Sequence, residues 1–203
     1  LLCALLLPAS ALADGAGALS ENELNAWLSQ LLRDSVTQTP MNAPVGEESL
    51  TEDGYAFLYS FATLYYNKPA LDEKSVLQAV ALTDERYPSP RGIRVGDAAD
   101  ALIESYGWQN PMLLGDGSFA AFYRLDHLPE AAYWSWARQE NGSLLSVRCA
   151  IHARAADGLY TDAGVLYAVE AGKVSGVRVY GLGARISEQE ARSNLSAVAR
   201  VEA

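Results

Sequence analysis

Cysteine and histidine are scarce in this chain of 203 residues, which contains two of each. Cys3 lies in an apolar leading segment, so residues 14–203 contain Cys149 alone and cannot form a disulfide among themselves. Apolar residues flank Cys149, which predicts a buried and unreactive thiol. With His127 and His152 as its only imidazoles, the chain is a poor candidate for a histidine-rich metal site.

Positive charge is also in short supply. The chain has 15 Lys and Arg residues against 25 Asp and Glu residues, which gives a formal net charge of −10. The basic residues form no clusters along the sequence. An acidic chain without basic clusters disfavours binding to nucleic acid or to anionic lipid, because both ligands carry dense negative charge.

Long apolar runs are absent outside the first thirteen residues, LLCALLLPASALA. This run is too short for a membrane helix, which needs roughly 20 residues. It ends in Ala11-Leu12-Ala13, small residues at the spacing of a signal-peptidase site, and charge begins at Asp14. We therefore expect residues 1–13 to be a signal peptide, with no membrane span and a secreted or cell-envelope location.

Short catalytic motifs are missing as well. The patterns G-x-S-x-G, S-x-x-K and H-E-x-x-H do not occur, nor does a glycine-rich phosphate loop before a helix. His127 or His152 would suit a general base, although a solvated or hydrogen-bonded histidine is the simpler interpretation. Paired carboxylates can also support hydrolysis, but here two of the pairs fall where helix caps are expected. The three pairs are Asp97 with Asp100, Glu47 with Glu48, and Glu188 with Glu190. We expect a protein that is not an enzyme and binds no cofactor or metal.

Two capping boxes predict helices near the ends of the chain. Ser20 and Glu23 have the N-cap and N3 spacing, as do Ser187 and Glu190. The first helix is predicted to end near Asp34 and the second near 200. After the first box, apolar residues recur at helical spacing: Leu24, Trp27, Leu28, Leu31 and Leu32.

A third helix is predicted within Arg91 to Gly107, RGIRVGDAADALIESYG. Asp97 stands where an N-cap residue would accept hydrogen bonds from the first turn, and Gly107 where a left-handed C-cap is expected. A helix of this length needs a packing partner to persist in water. The partner must be the strand-rich sequence on either side.

Alternating and β-branched patterns predict strands elsewhere. Tyr55 to Tyr66 alternates as one continuous two-sided strand, and Ser75 to Thr83 is its predicted returning partner. Asn141-Gly142 and Ala171-Gly172-Lys173 are predicted hairpin turns, because glycine readily adopts the positive φ that such turns require. The later predicted strands are 119–125, 132–139, 144–153, 165–171 and 174–181.

These elements predict an α+β fold in which helices pack on one face of an antiparallel sheet. The expected organisation is a signal peptide at 1–13 and one domain over 14–203. A division into sub-units 19–90 and 91–203, as two diverged helix-plus-hairpin units, is an open alternative. Internal sequence identity does not decide between them.

The run RGIRVGDAADALIESYG and the later hairpin VLYAVEAGKVSGVRVYGL together resemble a unit found in exported bacterial proteins. The pattern is similar to the helix-then-hairpin unit of the outer-membrane-lipoprotein SmpA/OmlA group and of the β-lactamase-inhibitor-like fold, and to uncharacterised exported proteins. It covers less than half of the chain. The resemblance implies a non-enzymatic envelope or inhibitor-type binding module and assigns no functional residue.

Trp134 and Trp136 form the most distinctive candidate site. Alternation along a strand places both on the same face of the sheet. If that face is open, the two rings would form a stacking platform for carbohydrate or an anchor for a protein partner. If a helix covers the face, both belong to the core.

From the sequence we expect an exported, non-catalytic binding or envelope-accessory module. Its partner would be a protein or a cell-wall component, not nucleic acid. The alternative is a hydrolase acting on carbohydrate or the cell wall through an acidic or histidine site without a known motif.

Overall fold

The computed structural model describes residues 19–106, 112–113, 119–123, 131–138, 144–152 and 157–191. Within these ranges the chain forms two complete α-helices, two short 3-10 helices and ten strands, and a further helical segment begins at 188. The two α-helices are α1 (Glu21–Val36) and α2 (Ala99–Tyr106). The strands are β1 (Leu50–Thr51), β2 (Gly54–Leu58), β3 (Thr63–Tyr66), β4 (Leu77–Leu82), β5 (Met112–Leu113), β6 (Phe119–Tyr123), β7 (Ala131–Arg138), β8 (Leu144–His152), β9 (Ala163–Glu170) and β10 (Lys173–Tyr180).

The strands form one antiparallel sheet in the order β1-β2-β3-β4-β10-β9-β8-β7-β6-β5. Each group of consecutive strands is a meander, and β10 returns to pair with β4 at the centre. The predicted α+β class with an antiparallel sheet is confirmed. Strands from 19–90 and from 91–203 share this sheet, and the division of the chain into two repeated units stays a prediction.

The first capping box is confirmed. Ser20 Oγ accepts the backbone N–H of Glu23 at 3.2 Å, and a carboxylate oxygen of Glu23 accepts the N–H of Ser20 at 2.8 Å. Helix α1 continues to Val36, slightly beyond the predicted end. The apolar stripe faces inward at Leu24 and Leu31, whereas its last residue, Leu32, is 37% exposed.

The prediction of one strand from Tyr55 to Tyr66 is wrong. The backbone N–H of Tyr59 donates to the carbonyl of Ala62 at 2.8 Å, which closes a tight turn between β2 and β3. The turn reverses the chain, and the buried positions change from Tyr55 and Phe57 to Leu64 and Tyr66. The sequence prediction failed because aromatic residues also occupy the turn, so the alternating pattern of side chains continues through it. Strand β4 pairs with β3, which confirms the returning partner strand predicted at 75–83.

The later strands are confirmed with small differences at their ends. The turn between β9 and β10 has positive φ at Ala171 (50°) and Gly172 (77°), as a two-residue hairpin turn requires. The second capping box is also confirmed, because Ser187 Oγ accepts the N–H of Glu190 at 3.2 Å and helical residues follow to 191. The signal peptide, the Asn141-Gly142 turn and the helix beyond 191 lie outside the described residues.

One face of the sheet forms the core. Both helices cover this face, since Leu24 and Leu31 of α1 and Leu102 and Tyr106 of α2 belong to the same apolar cluster. Register places one row of buried residues across six strands, from Phe57 on β2 to Cys149 on β8, and further buried residues flank this row on both sides. Together these residues are Tyr55, Phe57, Leu64, Tyr66, Val80, Leu82, Val177, Val179, Val165, Tyr167, Val147 and Cys149.

Candidate functional site

The candidate site is a groove at the place where β4 leaves the sheet. β4 pairs with the second half of β10, ending at the Leu82–Val177 pair. Beside the first half of β10, residues 96–99 pair with β10 in place of β4. The N–H of Gly96 donates to the carbonyl of Val174 at 2.7 Å, and the N–H of Val174 donates to the carbonyl of Asp97 at 2.9 Å.

Between these two segments, β10 itself is irregular. The register of β10 against β9 shifts between Val174 and Gly176, which marks a β-bulge. Bulges bend a strand and often lie near functional sites. Next to the first strand residue of β10 is a groove of about 420 Å³, lined by Glu85, Arg86, Arg94, Val95, Gly96, Asp97 and Lys173.

Two charged residues of the groove, Arg86 and Asp97, form hydrogen bonds within the loop that follows β4. Arg86 donates from Nε to one carboxylate oxygen of Asp84 at 2.8 Å and from a terminal nitrogen to the other at 2.5 Å. These hydrogen bonds lower the pKa of Asp84 to about 2. Asp97 accepts the backbone N–H of Arg94 at 2.8 Å and so closes the turn that follows Ile93.

The role predicted for Asp97 therefore needs a correction. Helix α2 begins at Ala99, and the Asp97 carboxylate accepts the N–H of Arg94 upstream of the helix, not an N–H of the first helical turn. The physical reason is the strand-like pairing of 96–99 with β10, which directs the backbone of Asp97 toward Val174. The glycine at 96 permits this path with a φ of 94°.

Three other groove side chains are not committed in this way. The guanidinium of Arg94, the ammonium of Lys173 and the carboxylate of Glu85 make no hydrogen bond or ion pair within the described part of the chain. The Glu85 carboxylate lies beside Gly96, where an added Cβ would be 3.7 Å from its oxygen. The groove thus presents two positive groups and one negative group to solvent.

The loop that forms one wall of the groove is anchored through Arg91. This residue has a φ of 66°, which costs a non-glycine residue about 1–3 kcal/mol. Its side chain, 8% exposed, donates from Nε to Glu23 of α1 at 3.0 Å. It also donates to the carbonyl of Ser105 in α2 at 3.0 Å. Burial of Glu23 opposes its ionisation, but hydrogen bonds from Arg91 and Ser20 outweigh it and lower the pKa.

Buried hydroxyl groups continue this anchor into the sheet. Tyr106 and Tyr167 share a hydroxyl–hydroxyl hydrogen bond of 2.6 Å. The Tyr167 hydroxyl also lies 3.1 Å from Ser89 Oγ and donates to the carbonyl of Pro90 at 3.1 Å. Burial raises the pKa of Tyr106 and of Tyr167 above the ordinary tyrosine value. The loop from Ser89 to Arg91 is therefore tied to both helices and to β9.

Cys149 lies against this buried cluster, on the core face of β8. Its burial raises the pKa of the thiol to about 12, against a small opposing effect from the charge of Arg91. The structure confirms the sequence prediction of a buried cysteine. A thiol with so high a pKa remains protonated at neutral pH, so it is a poor nucleophile.

The strand register locates the two tryptophans predicted as a site. Trp134 is paired with Cys149 and Trp136 with Val147, both of which are buried residues on the helix-covered face. The side chains of Trp134 and Trp136 lie outside the described part of the structure, so the choice between core and platform stays a prediction.

The other candidates from the sequence are not brought into the groove, apart from Asp97. Glu190 accepts hydrogen bonds from Ser187 at the second capping box, and Glu47 and Glu48 lie in an exposed 3-10 turn. His152 is the last residue of β8, and His127 lies outside the described residues. In the described ranges, no three His, Cys, Asp or Glu side chains are grouped to hold a metal ion.

The helices of the described residues are too short or too polar to cross a membrane. No protein-family model, curated protein or solved structure matches this chain. Sequence reasoning did not find the groove, because its charged residues come from a loop and a hairpin end that lie far apart in the chain.

Proposed function

We propose that the protein is an exported, non-catalytic binding module, and that it recognises a protein or cell-wall component through the groove beside β10. The main support for this proposal is that the side chains of Arg94 and Lys173 line the groove without a hydrogen bond or ion pair in the described part of the chain, whose net charge is −10 over the full sequence. An acidic protein repels anions over most of its surface. A groove with two available cations therefore offers an anionic group a local site of opposite charge.

The anchoring of the loop supports binding. Arg91 connects the wall of the groove to Glu23 in α1 and to Ser105 in α2, and Tyr167 connects it to β9. A wall held in this way loses little conformational entropy when a ligand binds, which favours affinity. The strained backbone of Arg91 fits the same interpretation, because strain is kept where surrounding contacts enforce a particular loop shape.

The placement of reactive groups supports a non-catalytic role. The Cys149 thiol and the Tyr106 and Tyr167 phenols are buried, and burial raises the pKa of each. The groups that face the groove carry fixed charges suited to recognition. The helix-then-hairpin resemblance implies the same kind of module, and the predicted signal peptide would deliver it outside the cell.

The test is co-sedimentation of the chain with insoluble bacterial cell walls, together with chemical cross-linking to secreted proteins. The informative variant is R94Q/K173Q, which neutralises the two uncommitted cations. Its matched control is K68Q/K74Q, which removes the same charge at the exposed loop before β4. We expect wild type and control to bind the wall or a secreted protein, and the groove variant to lose about tenfold or more in affinity.

Equal behaviour of the three proteins in both assays contradicts the proposal. Loss of cell-wall binding in R94Q/K173Q alone supports a cell-wall ligand. Loss of one cross-linked secreted protein in the same variant supports a protein ligand.

A further inference from the structure

We infer that the groove beside β10 recognises a zwitterionic ligand, namely a very short peptide with both ends free, which carries a carboxylate and an ammonium group close together. The inference rests on the proposed function, because it assigns a ligand class to the same groove. In this arrangement Arg94 and Lys173 receive the carboxylate and Glu85 receives the ammonium. A dipeptide with free termini, such as a fragment of a cell-wall peptide, has this chemistry.

The first argument is the sign of the available charges. A site for a simple anion would present cations alone, since a carboxylate in the wall repels an anionic ligand. Here the Glu85 carboxylate faces the same groove as Arg94 and Lys173, and no hydrogen bond or ion pair within the described residues engages any of the three side chains. A ligand with charges of both signs pairs with both walls.

The second argument is the division of labour among the five charged side chains of the groove. Arg86 is held by Asp84 in two parallel hydrogen bonds, and Asp97 is held by the N–H of Arg94. These pairs shape the loop. The side chains left to bind a ligand are those of Arg94, Lys173 and Glu85. The two cations can pair with one carboxylate, and Glu85 can pair with one ammonium group.

The third argument is size. The groove volume of about 420 Å³ lies within the range of roughly 300–1,000 Å³ that small-ligand sites occupy. A volume of this size suits one or two residues of a peptide. The Glu85 carboxylate lies next to Gly96, whose missing side chain leaves backbone accessible at the groove wall.

The experiment is a calorimetric titration of the full chain with four probes: alanyl-alanine, N-acetyl-alanyl-alanine, alanyl-alanine amide and inorganic phosphate. We expect alanyl-alanine to bind, and each blocked dipeptide to bind about tenfold more weakly because it lacks one of the two charges. E85Q should weaken the binding of alanyl-alanine, whereas N-acetyl-alanyl-alanine, which has no ammonium for Glu85 to receive, should bind no more weakly than to wild type. R94Q/K173Q should weaken the binding of both probes that carry a carboxylate, alanyl-alanine and N-acetyl-alanyl-alanine. K68Q/K74Q should bind all four probes as wild type does.

Two results overturn this inference. One is tighter binding of phosphate than of alanyl-alanine with a further gain in E85Q, which identifies a simple anion site. The other is the absence of binding by alanyl-alanine while R94Q/K173Q still abolishes cell-wall or protein binding. In that second case the proposed function stands and the ligand class is wrong.

Discussion

The guanidinium of Arg91 lies 4.6 Å from the centre of the Tyr106 ring. The same arginine has a positive φ of 66°, so its backbone is strained while its side chain is fully engaged. The contacts with Glu23, Ser105 and Tyr106 connect α1, the loop and α2 at one point. This arrangement fixes the wall of the groove, and its energetics can be measured.

Arg91→Ala should lower the free energy of unfolding by about 2–4 kcal/mol, because charge-assisted hydrogen bonds and a cation–π contact are lost together. Arg91→Gly should be less destabilising than Arg91→Ala by about 1 kcal/mol, since glycine adopts positive φ without strain. Urea denaturation measures both. K68A, at an exposed ion pair, is the control and should change stability much less. Equal losses for the alanine and glycine variants would rule out backbone strain.

The Arg91–Glu23 pair should also respond to acid. The pKa of Glu23 is lowered in the folded protein from its ordinary value of 4.5, so its contribution is present above that pH and is lost as pH falls through the lowered pKa. The destabilising effect of Glu23→Gln should therefore shrink when unfolding is measured at progressively lower pH below 4.5. An effect independent of pH over this range would show that the pair contributes by packing alone.

Tyr167→Phe tests the buried hydroxyl cluster. The change removes the 2.6 Å hydrogen bond to Tyr106 and the 3.1 Å hydrogen bond to the Pro90 carbonyl. Losing these two buried hydrogen bonds should lower the free energy of unfolding by about 1–3 kcal/mol. Tyr65→Phe, on the opposite face of the sheet, is the matched control and should cost little. If the two variants have the same stability, the cluster does not anchor the loop.

Cys149 should resist thiol reagents in the folded protein. Its pKa of about 12 leaves almost no thiolate at neutral pH, and its side chain is buried. In a C3S background, we expect rapid labelling in concentrated urea and slow labelling without it. Stability should fall as pH rises above the ordinary thiol value of 9.0, because the unfolded chain then releases the proton that the folded chain retains. Rapid labelling of the native protein would contradict the described packing.

Gly164→Ala should be strongly destabilising. An added Cβ would overlap the hydroxyl of Tyr180 and would lie 2.5 Å from the backbone oxygen of Cys149, which cannot rotate away. Gly176→Ala in the adjacent strand is the control, because its nearest neighbour, the Leu82 carbonyl oxygen, would be 4.0 Å away. Thermal unfolding should show a large drop in the midpoint for the first variant only. A similar midpoint for both would mean that β8 and β9 separate readily.

Local chemistry made much of the fold predictable from the sequence. The Ser20–Glu23 box and the turn at Ala171-Gly172 depend on residues close together in the chain, and both have the expected geometry. Alternation fails as a guide where aromatic residues also occupy a turn. For this reason the segment from Tyr55 to Tyr66 was predicted as one strand although Tyr59 and Ala62 close a turn within it.

The candidate site was much less predictable. Arg94 and Lys173 have no sequence pattern that relates them, and they line one groove only because 96–99 replaces β4 beside β10. The Arg91–Tyr106–Tyr167 cluster was also missed, since the pairing of α2 with β9 is set by tertiary packing. The predicted cap at Asp97 failed for the same reason: a non-local strand pairing directs this residue.

The most direct test of the central claim is the NMR titration of the labelled chain with soluble fragments of bacterial cell wall. The account predicts that the largest amide shift changes occur at 85–86, 94–97 and 172–174, and that R94Q/K173Q abolishes them. Changes centred on 131–138, around Trp134 and Trp136, that persist in R94Q/K173Q would contradict the groove and favour the tryptophan platform.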